Sequence, residues 1–374
     1  EKRWLRLGVA SDLAQAQAVA AREGADGLRL YANFLRLALE QVLAEQLDAG
    51  LPWHVKDYGI DQYVWPKLAR KLKVGIVDTG VAASHPEFDG LVADAADFTG
   101  NKFGYADGNG HGSHCLGIMI AKNFGIYRGG SAYVAKGLTD QGTGSDRSIS
   151  AGLRWCADQG CPIINLSAGS NVKSPLIVGT MAELAQQGII FSVAAGNESK
   201  PGRPADVGSP ANEPFLFGVT AIDRERNIAS FSNRGETADV AAPGVEIRSC
   251  GRQGTYVIMS GTSMAAPWVT GYIAAYMDHV QVSTGKFPSF DNIMAWLTKN
   301  VVDLGTPGKD WNFGLGLPDP SHGAFDDDKH APPPGTPGQP AATGQLRSLL
   351  ATMSDGSQYL FGKDRKSTRL NSSH

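Results

Sequence analysis

Four polar residues that lie far apart in the sequence could together carry out acyl transfer to water. That chemistry needs a nucleophile, a base that takes its proton, a carboxylate that orients the base, and N–H donors for the developing oxyanion. The residue types that fill these four roles are Ser263, His111, Asp78 and Asn197. A serine that begins a helix also gains from the helix dipole, which favours negative charge forming beside it.

Each of these residues also has an ordinary explanation when it is taken alone. An aspartate after a strand or an asparagine after a glycine is often a turn residue, and a serine at a helix start is often an N-cap. His111 and His114 resemble half of a metal-binding pair, but the glutamate of H-E-x-x-H is missing and no third ligand is evident. We therefore predict no metal among the catalytic groups, and only the combination of the four residues favours catalysis.

The elements that would position these residues follow from short apolar runs that alternate with helical stretches beyond residue 72. Such runs are typical of parallel strands buried on both faces and joined by crossover helices. We therefore predict an α/β fold, a doubly wound parallel sheet flanked by helices. The predicted strands cover residues 74–77, 132–135, 163–166, 189–194 and 215–222, and the predicted helices cover residues 111–121, 146–158 with Ser145 as N-cap, 176–187, 262–279 and 290–301.

Several of the polar residues lie where a predicted strand ends or a predicted helix begins. Asp78, Ser167 and Asn197 each follow a strand, and His111 and Ser263 each open a helix. In open α/β sheets, binding and catalytic groups gather at the carboxyl ends of the strands. We therefore expect these side chains to share one cleft.

Four motifs make a resemblance to a known family specific. They are VGIVDTG at 74–80, NGHGSHCLG at 109–117, AAGN at 194–197 and GTSMAAP at 261–267. In sequence and in order they resemble the Asp, His, Asn and Ser motifs of the subtilisin-like serine proteases, the subtilases. The resemblance covers roughly residues 51–320, and it extends to NLSAG at 165–169 and GTGS at 142–145, which look like the two substrate-binding edges of that family.

The resemblance implies a serine endopeptidase that cuts peptide bonds through an acyl-enzyme intermediate. Ser263 would be the nucleophile, His111 the base, Asp78 its orienting carboxylate, and Asn197 an oxyanion donor together with the Ser263 backbone N–H. An extended polypeptide substrate would pair with backbone at the two edges, at Gly142, Gly144, Ser167, Ala168 and Gly169. We expect broad specificity, because such binding makes modest demands on side chains.

Departures from the family pattern are small. Ser113 stands where many members have Thr, and Ala168 stands where many have Leu or Trp, which is expected to reshape the pocket. Cys115 resembles a cysteine present in a subset of the family, and mercurials should inhibit if its thiol is free and near His111. The resemblance implies no required cofactor but is compatible with structural calcium, for which Asp94, Asp97 and Asp107 are weak candidates.

Composition excludes several other classes of function. The chain is 42% hydrophobic and 19% charged with a formal net charge of −3, which does not favour nucleic acid or a membrane surface as a partner. No apolar stretch has the length of a membrane span. We expect a monomer, and secretion is an expectation from the family alone. Free thiols are the simpler interpretation of the four cysteines, although a bridge between Cys156 and Cys161 stays open.

The chain divides into three predicted regions. Residues 1–50 have apolar positions at helical intervals and are predicted to be a helical accessory or propeptide-like segment. Residues 51–320 are the catalytic domain, and residues 321–374 are a Pro/Gly-rich linker followed by a tail. Residues 364–374 resemble a translated sequencing adapter, so we expect a non-native or truncated C-terminus.

Three other functions compete with this interpretation. Asp78-Thr79-Gly80 is also the motif of aspartic proteases, but no second copy exists. The segment around Ser263 loosely resembles the nucleophile elbow of esterases, in which the acid and the histidine follow the serine rather than precede it. The remaining alternative is a catalytically silent or immature subtilase-fold module that binds peptides.

Overall fold

The computed structural model describes residues 50–322, residue 325 and three short strands at 349–352, 358–361 and 368–369. The accessory segment predicted at residues 1–50 falls outside this range except for Gly50. Most of the predicted linker and tail at 321–374 also lies outside it. The boundaries of these regions therefore stay predictions.

A parallel sheet of seven strands forms the centre of the domain. Its spatial order is β2-β3-β1-β4-β5-β6-β7, and every neighbouring pair is parallel. The strands are β1 Lys73–Asp78, β2 Val92–Asp97, β3 Ser131–Lys136, β4 Ile163–Leu166, β5 Ile190–Ala194, β6 Phe217–Ile222 and β7 Val240–Pro243. The chain reverses its direction of travel across the sheet beside β1, and such a switch point is where open α/β folds place their sites.

Helices cover the sheet on both faces, as the doubly wound prediction requires. The helices are α1 Trp53–Lys56, α2 His111–Ile120, α3 Asp146–Asp158, α4 Pro175–Gln186, α5 Thr262–Thr284 and α6 Phe290–Lys299. Shorter helical turns lie at Ile60–Val64, Trp65–Lys67, Pro86–Phe88, Arg252–Gly254 and Pro320–His322. None of the helices within the described residues is long and apolar enough to span a membrane.

Successive strand residues supply the two cores that these helices cover. Ile76 belongs to the core that includes residues of α2 and α5, whereas Val77 belongs to the core that includes residues of α3 and α4. Side chains alternate between the faces of a strand, so a strand that is buried on both sides must be apolar at every position. This is why the continuous apolar runs predicted the sheet correctly.

Local sequence also sets the start of α3. The Ser145 hydroxyl accepts from the Ser148 N–H at 3.0 Å, and the Ser148 hydroxyl accepts from the Ser145 N–H at 3.0 Å. This reciprocal capping box satisfies two backbone donors at the helix start. The N-cap predicted at Ser145 is therefore confirmed.

The sequence analysis missed both edge strands of the sheet. β2 is half-exposed and contains Asp94 and Asp97, and β7 is four residues long and ends at Pro243. β2 lacks the uninterrupted apolar character of an inner strand, and the proline that ends β7 cannot donate to a ladder, so neither segment was predicted as a strand. Also unpredicted are an antiparallel pair, β8 Ile247–Cys250 with β9 Tyr256–Met259, and the short pair β10 Val301–Val302 with β11 Leu317–Pro318. A separate antiparallel sheet of β12 Leu349–Thr352, β13 Gln358–Phe361 and β14 Thr368–Arg369 was not predicted either.

The four cysteines are free and buried. Cys156 lies near the end of α3, and its carbonyl oxygen accepts a hydrogen bond from the Cys161 N–H at 3.2 Å. Burial raises the pKa of both thiols, that of Cys161 to about 12. The bridge that the sequence left open is therefore absent from this structure.

Candidate active site

A buried carboxylate and an imidazole meet at the carboxyl end of β1. Asp78 is the last residue of that strand, His111 is the first residue of α2, and His111 Nδ1 lies 2.7 Å from Asp78 Oδ1. The Asp78 side chain has no exposure, whereas that of His111 is 25% exposed. Because an ionised carboxylate only accepts, we assign the ring proton to Nδ1, which leaves Nε2 free to accept a proton.

Thr79 and Asp107 hold this pair in place. The Thr79 N–H donates to Asp78 Oδ1 at 2.7 Å, and the Thr79 hydroxyl accepts from the Gly112 N–H at 2.9 Å. Asp107 accepts from the Thr79 hydroxyl at 2.9 Å and from the Ser113 hydroxyl at 2.6 Å. The turn that follows Asp78 and the helix that begins at His111 are therefore bonded through one network.

Glycine is required where these two segments approach each other. A Cβ atom built on Gly112 would lie 2.3 Å from the carbonyl oxygen of Gly80. Real Cβ atoms do not come that close to a backbone oxygen, so a larger residue would push α2 away from the turn. The residue after His111 is therefore glycine for a steric reason.

The charge of Asp78 controls the protonation of His111. Burial is the largest single influence and lowers the pKa of His111, but the Coulombic attraction of Asp78, its hydrogen bond to the ring and the interactions with Cys115 together outweigh burial. The pKa of His111 consequently lies well above 6.5. The imidazole is thus a stronger base than a free histidine.

Ser263 lies in the first turn of α5 beside this pair. Its hydroxyl donates to the Ser167 carbonyl oxygen at 3.2 Å, and the Ser167 hydroxyl donates to the Ser263 carbonyl oxygen at 2.9 Å. The thiol of Cys115 also donates to the Ser263 carbonyl, at 3.2 Å, and lies 3.8 Å from His111 Nδ1. A serine hydroxyl has one proton to donate, and in this structure the Ser263 hydroxyl donates its hydrogen bond to the Ser167 carbonyl oxygen and not to His111.

The side-chain amide of Asn197 is fixed against the start of α5. Its oxygen accepts from the Thr262 N–H at 2.9 Å and from the Thr262 hydroxyl at 3.0 Å. Its Nδ2 group and the Ser263 backbone nitrogen both lie near Gly261, at 3.5 and 3.6 Å from the position of an ideal Cβ on that residue. Both N–H donors therefore lie at the start of α5, and Asn197 and Ser263 line the same cavity of about 120 Å³.

A larger cavity of about 440 Å³ lies between the two predicted substrate-binding edges. Gly142 and Gly144 line one side, and Ala168 and Gly169 line the other. Apolar side chains complete the lining, among them Leu138, Ile149, Leu166 and Ile177. Ala168 and Gly169 also line the smaller cavity beside Ser263, so a chain bound along these edges would pass both.

The three calcium candidates, Asp94, Asp97 and Asp107, do not form one cluster of side chains. Asp107 and Asp97 already accept hydrogen bonds from nearby N–H and hydroxyl groups, and Asp94 accepts from the Ala95 N–H at 2.8 Å. Among the described residues, the only group of three acidic, histidine or cysteine side chains close enough to share a metal is Asp78, His111 and Cys115. Calcium binding at these three aspartates therefore stays a prediction.

Sequence reasoning missed the supporting residues Thr79 and Asp107 as parts of the site. Asp107 was considered only as a calcium candidate, although its oxygens hold the two segments that carry Asp78 and His111. The available signal was local, since Thr79 directly follows Asp78 and Asp107 precedes His111 by four residues.

Comparison with known proteins agrees with the fold. The profile of the Subtilase family matches residues 69–316. Subtilisin DY from Bacillus licheniformis is 36% identical over 253 residues, which is 66% of this chain and 88% of that protein. Subtilisin E from Bacillus subtilis (strain 168) is 35% identical over 273 residues, 70% of this chain and 69% of that protein. The cuticle-degrading protease of Metarhizium anisopliae is 36% identical over 247 residues, 64% of this chain and 62% of that protein.

The parallel α/β sheet with a carboxylate–imidazole pair at its switch point is accordingly that of a hydrolase, and the chain belongs to the subtilase family. It is a serine endopeptidase, and its substrates are polypeptides.

Proposed function

We propose that Ser263, His111 and Asp78 are the catalytic triad of this endopeptidase, with Asn197 as an oxyanion donor. The observation that carries the proposal is the 2.7 Å hydrogen bond between the buried Asp78 and the partly exposed His111. Ser263 lies at the start of α5. The bond between Asp78 and His111 favours the tautomer with the proton on Nδ1, so Nε2 is free to take the proton of Ser263.

In the proposed reaction, the Ser263 hydroxyl leaves the Ser167 carbonyl and donates its proton to His111 Nε2 while its oxygen attacks the peptide carbonyl. Asp78 stabilises the imidazolium that forms. His111 then gives the proton to the leaving amine, which yields an acyl-enzyme on Ser263. Water attacks the acyl-enzyme by the same route and releases the second product.

The oxyanion would lie between Asn197 Nδ2 and the Ser263 N–H. The supporting observation is that the Asn197 oxygen accepts two hydrogen bonds from Thr262, which fixes the amide and leaves its Nδ2 group to donate to the oxyanion. Donors fixed before the reaction cost no reorganisation when charge develops. The start of α5 adds the favourable end of its dipole.

We further propose that an extended substrate binds between the two edges, at Gly142, Gly144, Ser167, Ala168 and Gly169. Exposed backbone at both edges would pair with substrate backbone, so most of the binding would be independent of sequence. Broad specificity follows. A cleavage-site profile in which one residue type is strictly required at one position would refute it. We expect a secreted monomer.

A fluorophosphonate probe tests the triad, because it phosphonylates only a serine that has been activated as a nucleophile. The wild-type protein should be labelled on the peptide that contains Ser263, and Ser263→Ala should remain unlabelled. Ser260→Ala is the matched control, since Ser260 is an exposed serine in the same segment, and it should label like the wild type. A silent peptide-binding module would not be labelled in any form.

A further inference from the structure

A lysine is buried directly beside the end of β1. Lys136 is the last residue of β3, and in the parallel register its Cα pairs with that of Asp78. Its side chain has no exposure, and it is the only buried lysine among the residues that the structure describes. A buried ammonium group is costly unless its hydrogen bonds are satisfied, so its partners should be informative.

One of these partners is the turn that carries the carboxylate. Lys136 Nζ donates to the backbone carbonyl of Thr79. Thr79 in turn donates its N–H to Asp78 Oδ1 at 2.7 Å and accepts the Gly112 N–H on its hydroxyl at 2.9 Å. Lys136 therefore holds a residue that bonds both the segment of Asp78 and the segment of His111.

The other partner is the turn that leads to the substrate-binding edge. Lys136 Nζ donates to Asp140 Oδ1 at 2.7 Å, and the Asp140 backbone carbonyl accepts from Asn109 Nδ2 at 2.9 Å. The Gly142 N–H donates to the Thr139 carbonyl at 2.9 Å, which closes the turn around Asp140. Gly142 and Gly144 line the larger cavity. Asp140 thus connects the ammonium group to the backbone that would pair with substrate.

We propose that Lys136 is a positioning residue that couples the Asp78–His111 pair to the substrate-binding edge at Gly142 and Gly144. The proposal rests on the triad and substrate edges proposed above. Through Thr79 the ammonium group sets the orientation of Asp78, and through Asp140 it sets the position of the edge. A displacement of about 1 Å at such a site lowers the rate on the order of a hundredfold, so each connection should be measurable.

Two variants separate the two connections. Lys136→Met removes both, whereas Asp140→Asn weakens the one to the edge and keeps the lysine bonded to Thr79. The same change also weakens the bonds that the Asp140 carboxylate accepts from the Gly108 N–H at 3.2 Å and from Asn101 Nδ2 at 3.0 Å. Each variant is assayed on a long peptide that fills the large cavity and on a single-residue ester that does not reach it. For Lys136→Met we expect kcat to fall by about ten- to a hundredfold on both substrates, and KM to rise on the peptide alone. For Asp140→Asn we expect only the rise in KM on the peptide.

The matched control is another buried charge that is remote from the site. Asp278 in α5 is fully buried and accepts the backbone N–H groups of Ala69, Arg70 and Lys71 at 2.8 to 3.0 Å. Asp278→Asn should lower the melting temperature but leave kcat and KM per folded molecule near the wild-type values. If it reproduces the loss of kcat seen in Lys136→Met, the effect is one of general stability and the proposal is wrong.

Other outcomes are equally decisive. Wild-type kcat and KM in Lys136→Met would overturn the proposal. If Lys136→Met does not fold, Asp140→Asn decides instead, because the Asp140 side chain is 29% exposed and asparagine keeps its size. An unaltered KM on the long peptide would then contradict the coupling. Retained peptidase activity in Ser263→Ala would refute the proposed triad itself, which is a different result from any of these.

Discussion

The thiol of Cys115 donates a 3.2 Å hydrogen bond to the backbone carbonyl of Ser263, the proposed nucleophile. The same sulfur lies 3.8 and 4.0 Å from the two ring nitrogens of His111. Burial raises the pKa of this thiol, so at neutral pH it is protonated and does not compete as a nucleophile. The Cys115 sulfur is nevertheless a ligand that soft metal ions prefer, and it lies next to His111, the proposed base.

Mercuric ion should therefore inhibit the enzyme. A metal bound to the Cys115 sulfur would lie against His111 and prevent it from taking the Ser263 proton. The measurement is the initial rate of peptide hydrolysis with and without mercuric chloride. Cys115→Ser, which keeps a donor of similar size, should hydrolyse peptide and resist mercury. Equal inhibition of this variant would assign the effect to another cysteine.

The acidic limb of the pH profile should lie above pH 6.5. Burial is the largest single influence and lowers the pKa of His111, but the charge of Asp78, its hydrogen bond to the ring and the interactions with Cys115 together raise this pKa well above 6.5. A general base acts only when it is neutral, so kcat/KM should already fall as the pH drops through this raised pKa. In Asp78→Asn the limb should move to lower pH, and kcat should fall on the order of 10⁴-fold. A wild-type limb at or below pH 6.5 would contradict the raised pKa of His111.

Asn197→Ala should lower kcat about 10²- to 10³-fold with little change in KM. This is the range known for the loss of the asparagine donor of the oxyanion hole in subtilisin, a relative of this chain. The reason is that Nδ2 would bind the oxygen only when negative charge develops on it. Steady-state kinetics on one peptide substrate measure the two constants separately. A large rise in KM at unchanged kcat would show that Asn197 binds substrate instead.

Thr180→Val should stabilise the fold by about 1 kcal/mol. The Thr180 hydroxyl is buried in α4 and has no hydrogen-bond partner in the described part of the chain, so it carries a desolvation cost that a methyl group does not. Thr270→Val is the matched control, because the Thr270 hydroxyl has two acceptors for its proton, Asn165 Oδ1 at 3.0 Å and the Ala266 carbonyl oxygen at 2.9 Å. Thermal or urea unfolding should show opposite signs for the two variants, and destabilisation by both would contradict this account.

The sequence predicts the inner sheet and the placement of the reactive groups because both depend on local pattern. Ile76 and Val77 are apolar since each faces a different core, and Asp78 follows them where the strand ends. The contribution of Lys136 could not be predicted, because a single lysine at the end of an apolar run does not reveal which distant groups it bonds. The same applies to Asp107, whose partners are fixed only by the tertiary structure.

The most direct test of the triad is the kcat/KM of Ser263→Ala on a peptide substrate, measured against the wild type at equal concentrations of folded protein. We predict an essentially complete loss, on the order of the millionfold decrease known for the nucleophile of subtilisin, with an unchanged melting temperature. A folded Ser263→Ala variant that keeps kcat/KM within about tenfold of the wild type would contradict the claim that Ser263 is the nucleophile.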